Sequence, residues 1–154
     1  MNKLIETIDL TKVYGEKETS VTALNSITTA FNENQFTAIM GPSGSGKSTL
    51  LHCLAGLDKV TSGSILINGI DLASLNDKEL TKMRRDSFGF VFQAFNLIPT
   101  LTAEENITLP SSIAGRKPED EWVEQVINAM DIGDRLGHRP NELSGGQQQR
   151  VAAA

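Results

Sequence analysis

The stretch GPSGSGKST, Gly41–Thr49, decides the fold. It runs as Gly, four residues, then Gly-Lys-Ser. A turn that wraps a triphosphate must point successive backbone N–H groups inward and bring the main chain close to the anion. Glycines at 41, 44 and 46 permit this without a Cβ clash. Lys47 is placed to set a compact positive charge on the β and γ phosphates, and Ser48 to offer its hydroxyl to magnesium. Gly41, Pro42, Ser43, Gly44, Ser45, Gly46, Lys47, Ser48 and Thr49 are therefore the candidate nucleotide-binding residues. The plain alternative is an ordinary glycine turn before a helix.

The flanks weigh against that alternative. QFTAIM, Gln35–Met40, is a short apolar run ending at glycine and predicts a buried strand. After the loop the period changes: Leu50, Leu51, Leu54 and Leu57 recur at helical spacing, with Gly56 near the helix end. A helix starting at the loop would aim its free N–H groups and dipole at the phosphates.

Working outward, Leu4–Leu10 and Val21–Phe31 mix Ile, Val, Thr and Phe in near period-two alternation, and KVYGEKETS between them predicts a turn. SGSILING predicts a strand and turn, and Asn76–Arg85 a charged helix. SFGFVFQ, Ser87–Gln93, reads as a strand ending at Gln93, because aromatic residues and Val favour a pleated surface. Pro118 is expected to open a helix, with Glu119, Asp120 and Glu121 at the positive end of its dipole. Trp122, Val123, Val126, Ile127 and Met130 would form its core face.

Composition narrows the function classes. A net charge of -5 argues against a broad nucleic-acid footprint, which needs clustered Lys and Arg. The single cysteine, Cys53, rules out an intramolecular disulfide and suits a reducing cytosol. No stretch reaches the ~18 apolar residues of a membrane span, so the expectation is a soluble protein linked to membranes only through a partner. Neither His52 nor His138 has companions at metal-ligand spacing.

A phosphate loop alone leaves nucleotide kinases, GTPases, recombination motors and transport ATPases open, and GPSGSGKST is similar to the loop of guanylate kinases. LSGGQQQR, Leu143–Arg150, narrows the choice. With the phosphate loop before it and FVFQ between, it resembles the ABC (ATP-binding cassette) ATPase family, whose signature is LSGGQ. The resemblance covers the whole chain. From Phe88 to Pro110 the wording is most similar to the lipoprotein-releasing and macrolide-export branch. The coiled-coil ABC ATPases of DNA repair and chromosome organisation would insert long heptad arms, and the short gap here speaks against them.

The resemblance implies an incomplete α/β phosphate-loop NTPase of the ABC type: an antiparallel β part, a RecA-like core lacking the Walker B strand, and a helical signature subdomain. Within a partial nucleotide-binding domain of 1–154, it places the β part and phosphate-loop core in 1–93 and the Q-loop and signature region in 94–154. It implies that Tyr14 stacks on adenine, and that Gln93 touches magnesium and faces the membrane partner. It also implies that Ser144, Gly145, Gly146 and Gln147 cap the nucleotide of a second subunit in a head-to-tail dimer. Beside the resemblance, Ser144 is a good N-cap and QQQRVAAA is rich in helix formers, so the segment reads as a helix start rather than a flexible linker. ATP and Mg2+ are the implied cofactors. A second ATPase subunit and an integral membrane permease are the implied partners, with no nucleic acid. The implied location is the inner face of the cell membrane.

In the family pattern, the magnesium-binding Asp, the water-polarising Glu and the γ-phosphate His follow the signature helix, beyond Ala154. Neither Glu142 nor Asp131 ends an apolar strand, so neither takes those roles. The expectation is a fragment without catalytic residues of its own that binds nucleotide weakly and does not turn over. The alternative is a natural short form that occupies nucleotide or a permease without hydrolysis.

Overall fold

The computed structural model describes residues 3–154. They form two compact units, residues 1–84 and 85–154, within which the described residues are treated separately.

The first unit is built on an antiparallel sheet of order β2-β1-β3-β4, formed by β1 (Lys3–Tyr14), β2 (Val21–Asn32), β3 (Ser62–Ile67) and β4 (Ile70–Asp71). β1 extends four residues past the predicted end: Lys12 pairs with Leu24 and Tyr14 with Val21, and Val13 N–H donates to Thr61 Oγ1 at 2.9 Å. The turn is thus confined to Gly15–Ser20. A register shift between Thr7 and Leu10, with Asp9 at φ +47°, breaks the alternation. An inserted residue of this kind turns the following side chains to the opposite face, and Thr7, Leu10 and Lys12 are all buried. Gly63 of β3 lies against that irregularity. A Cβ there would stand 2.4 Å from the Asp9 carbonyl oxygen, so β3 can approach only as glycine. The β3–β4 hairpin turns on Asn68-Gly69, both at positive φ as a tight two-residue turn requires.

Helix α1 (Lys47–Leu54) buries Leu50, Cys53 and Leu54. Gly56, at φ +64°, follows its end, where Leu57 N–H donates back to the His52 carbonyl. Helix α2 (Asp77–Ser87) begins with Asn76, whose Oδ1 accepts from Lys78 and Glu79 N–H, while Glu79 Oε2 accepts from Asn76 N–H.

Two predicted strands do not form. Residues 35–40 have no ladder partner, and Phe36 and Met40 are 98% and 88% exposed, the reverse of a buried strand. Residues 88–93 are likewise outside any ladder, and Ser87 closes α2 instead. The composition of both segments favours strand, but a strand exists only when neighbours satisfy its N–H and C=O groups. Among the described residues no strand pairs with either.

The second unit packs α3 (Ala103–Ile113), α4 (Asp120–Met130) and α5 (Gly145–Ala153) around Ala103, Ile127, Ile132, Leu143 and Val151. α3 starts in a capping box of Thr102 and Glu105. α4 starts at Asp120, with Glu119 as an extended N-cap and Pro118 outside the helix, two residues later than Pro118 suggests. Ile127 is buried and Val123 and Met130 pack beside it, whereas Trp122, near the helix start, remains largely exposed.

Candidate functional site

The phosphate loop occupies Gly41–Gly46 and leads directly into α1. Gly41, Gly44 and Gly46 have φ of +155°, +79° and +86°, so the conformation draws on glycine at each of the three predicted places. Gly46 is the N-cap of α1, and its carbonyl accepts from Leu50 N–H at 2.8 Å. A Cβ on Gly46 would meet the Ala23 carbonyl oxygen of β2 at 2.4 Å, whereas one on Gly44 would meet open space. One glycine is required by close approach and the other only by backbone angle. The first predicted strand residues before the loop are exposed, so the loop is positioned from its helix side, through Leu50 and the contact of Gly46 with β2.

The Lys47 ammonium turns into the loop. It donates to the Gly41 carbonyl at 2.9 Å and the Pro42 carbonyl at 2.6 Å, with Ser45 Oγ at 3.4 Å. Pro42, Ser43, Gly44 and Ser48 are exposed. Open space at Gly44 and a cation already seated among loop oxygens fit a polyphosphate, for which the ammonium would exchange carbonyl partners for anionic ones.

Tyr14 closes β1 and shares this unit with the loop. Its hydroxyl donates to Asp58 Oδ2 at 2.5 Å. Lys12 Nζ donates to the other carboxylate oxygen of Asp58 at 2.6 Å and to the Lys59 carbonyl at 2.6 Å. The same ammonium lies 4.7 Å from the centroid of the Tyr14 ring. The bonds from Lys12 and then Tyr14 hold the Asp58 carboxyl below the usual carboxylate range. The bond to Asp58 raises Lys12 against the opposing effect of burial, and the bond to Asp58 raises the Tyr14 phenol. Burial, with Asp58 nearby, pushes the Cys53 thiol up.

Lys12 and Asp58 escaped the sequence reading. A faint signal existed for Lys12, which stands two residues before Tyr14 on one strand and therefore on the same face. Asp58 lies 44 residues from Tyr14, and nothing local announces the pairing.

In the second unit Gln93 does not end a strand. It sits in a turn closed by Phe95 N–H on the Phe92 carbonyl, followed by Phe95 and Asn96, both at φ +53°. The signature starts α5 as its composition indicates. Ser144 Oγ accepts from Gln147 N–H at 3.3 Å, and Gln147 Oε1 accepts from Ser144 N–H at 2.8 Å. Gly145 and Gly146 are exposed, with nothing within 4 Å of where a Cβ would stand. Leu143 is buried beneath them, and Gln148 Nε2 donates to the Pro140 and Leu143 carbonyls. A helix N-terminus is thereby held firmly with its first N–H groups accessible, a geometry that accepts an anion.

Residues 24–154 match the family described as ABC transporter. The chain is 47% identical over 153 residues to the macrolide export ATP-binding/permease protein MacB of Marinobacter nauticus, covering 98% of this chain and 24% of that protein. It is 46% identical to the lipoprotein-releasing system ATP-binding protein LolD of Geobacter metallireducens, covering 100% of this chain and 69% of the relative. Among solved structures it resembles the dimeric structure of MJ0796, a bacterial ABC transporter cassette, with a TM-score of 0.85 and 45% identity over 96% of this chain and 66% of that one. A post-hydrolysis dimer of the same cassette bound to ADP and Pi matches with a TM-score of 0.84 and 44% identity. The chain thus spans about a quarter of the fused export protein and about two thirds of the stand-alone relatives.

Proposed function

The chain belongs to the ABC transporter family, and from that premise we propose that it is the nucleotide-binding part of an ATP-binding subunit that couples ATP to movement of a substrate by a membrane permease. The observation that carries this is the pairing, in one chain, of a phosphate loop with Lys47 turned inward and a capped signature helix with Gly145 and Gly146 open. The phosphate loop would hold the nucleotide phosphates of its own subunit. The signature would face the nucleotide of a second subunit, giving a head-to-tail dimer. Similarity to a dimeric cassette and to a post-hydrolysis dimer with ADP and Pi supports both parts.

Magnesium would neutralise the phosphates and strengthen their positioning. Ser48 is the residue of the loop that would hold it. Tyr14 would stack on adenine. Among the described residues no helix is long and apolar enough to cross a membrane. A position at the inner membrane face would come through contact with the permease. The 154 residues by themselves would bind nucleotide weakly and not turn it over.

Titration of the 154-residue chain with Mg-ATP, followed by calorimetry, tests the assignment. Binding that Lys47→Ala weakens at least about ten-fold, equivalent to about 1.4 kcal/mol, is expected from loss of a charge-assisted contact. Binding indifferent to Lys47→Ala would remove the phosphate assignment. Steady ATP hydrolysis abolished by the same change would remove the claim of no turnover.

A further inference from the structure

We infer that Asp58 is a positioning residue for the nucleotide base, acting through Tyr14, with Lys12 closing one face of the tyrosine ring. The inference rests on the reading that Tyr14 is the base-stacking residue.

An aromatic side chain at the end of a strand can rotate, and a rotating ring makes a poor platform. Tyr14 is not free to do so. Its hydroxyl is tied to Asp58 Oδ2 at 2.5 Å, and Asp58 is tied in turn through Oδ1 to Lys12 Nζ at 2.6 Å. Lys12 is itself anchored to the Lys59 carbonyl at 2.6 Å and is only 9% exposed. The ring is therefore fixed at its far end by a carboxylate and along one face by an ammonium 4.7 Å from its centroid.

That arrangement has a consequence for the opposite face. Tyr14 remains 40% exposed although one face carries the ammonium, so its accessible area lies on the other face and the edges. A planar base has one face of the ring to stack on. Preorganisation of this kind raises affinity by removing the cost of ordering a side chain on binding, about two- to ten-fold for one rotamer-rich group. The gain should appear only for ligands that carry a base.

The test compares the affinities of the 154-residue chain for Mg-ATP and for Mg-tripolyphosphate, which has the phosphates and no base. The forms compared are wild type, Tyr14→Ala, Tyr14→Phe, Asp58→Ala and the double change Tyr14→Phe/Asp58→Ala. Tyr14→Phe keeps the ring and the Lys12–Asp58 pair but cuts the tether, so it decides the matter even if Asp58→Ala fails to fold. The expected result is a two- to ten-fold loss for ATP in Tyr14→Phe and Asp58→Ala, no change for tripolyphosphate, and no further loss in the double variant. If Tyr14→Ala weakens ATP while Tyr14→Phe binds it like wild type, the stacking role stands and the inference about Asp58 is overturned. If Tyr14→Ala leaves ATP affinity unchanged, or wild type binds ATP no better than tripolyphosphate, the stacking role itself falls. Equal losses for both ligands in Tyr14→Phe would make the tether purely structural and would also overturn the inference.

Discussion

Replacement of Gly46 by alanine should be the most damaging single-methyl change in the phosphate loop, and the structure supplies the reason. Gly46 has φ +86°, where an L side chain costs about 1–2 kcal/mol. Its new Cβ would also stand 2.4 Å from the Ala23 carbonyl oxygen and 3.2 Å from Leu24 Cδ2. The carbonyl belongs to β2 and cannot rotate aside, so the strand or the start of α1 must move, adding an overpacking cost of about 1–3 kcal/mol. The sum is about 2–5 kcal/mol. Gly44 isolates the first effect: it has φ +79° but open space around it, so Gly44→Ala should cost only about 1–2 kcal/mol. Gly145 lacks both, sits at the first position of α5, and should tolerate alanine with a gain of up to about 1 kcal/mol. Urea unfolding of the three variants beside wild type gives the ranking. Equal losses at Gly46 and Gly44 would refute the steric argument, since only close approach distinguishes the two sites. A loss at Gly145 matching that at Gly44 would refute the backbone argument.

Three further outcomes follow from the side-chain networks. The Asp58 carboxyl is held below its ordinary 3.8 in the folded state, so the stability it confers is present above that value and is lost as pH falls through the folded pKa; in urea unfolding against pH, Asp58→Asn should flatten the profile below about pH 4. Tyr14 is the sole tyrosine, so its ultraviolet alkaline titration is specific: its ionisation should lie above 10.0 and move back toward it in Asp58→Asn, and an unmoved midpoint would dissociate the two residues. Since a raised phenol pKa stabilises the fold below the unfolded value, that contribution should fade as pH rises through the folded one. Asn106 accepts from Ile98 N–H at 2.7 Å and donates to the Ile98, Leu101 and Thr102 carbonyls, so Asn106→Ala should cost about 1–3 kcal/mol in urea unfolding and speed amide exchange at Ile98.

The elements legible beforehand were those whose cause is local. Gly41, Gly44 and Gly46 announce a loop that needs positive φ. Ser144 is an N-cap ahead of helix formers, and α5 starts there; Thr102 with Glu105 carries the same kind of local signal at the start of α3, a helix not predicted from the sequence above. Asn68-Gly69 turns a hairpin for the same kind of reason. Less was legible where partners are distant. The register shift at Asp9, which turns Lys12 inward, depends on β3 approaching through Gly63.

By itself, then, the sequence determined the local pieces: a glycine-rich loop of phosphate-binding pattern, a capped helix start and a single tyrosine beside a turn. Tertiary structure decided which of these are held and which potential strands are realised. Phe36 and Val91 have strand-forming neighbours in sequence yet stand exposed, because a strand is completed by hydrogen bonds to another segment and no described strand supplies them. Tyr14 could have been a loose surface aromatic. It is held because folding brings Asp58 within 2.5 Å of its hydroxyl and Lys12 over its ring, a long-range assembly that no local spacing encodes.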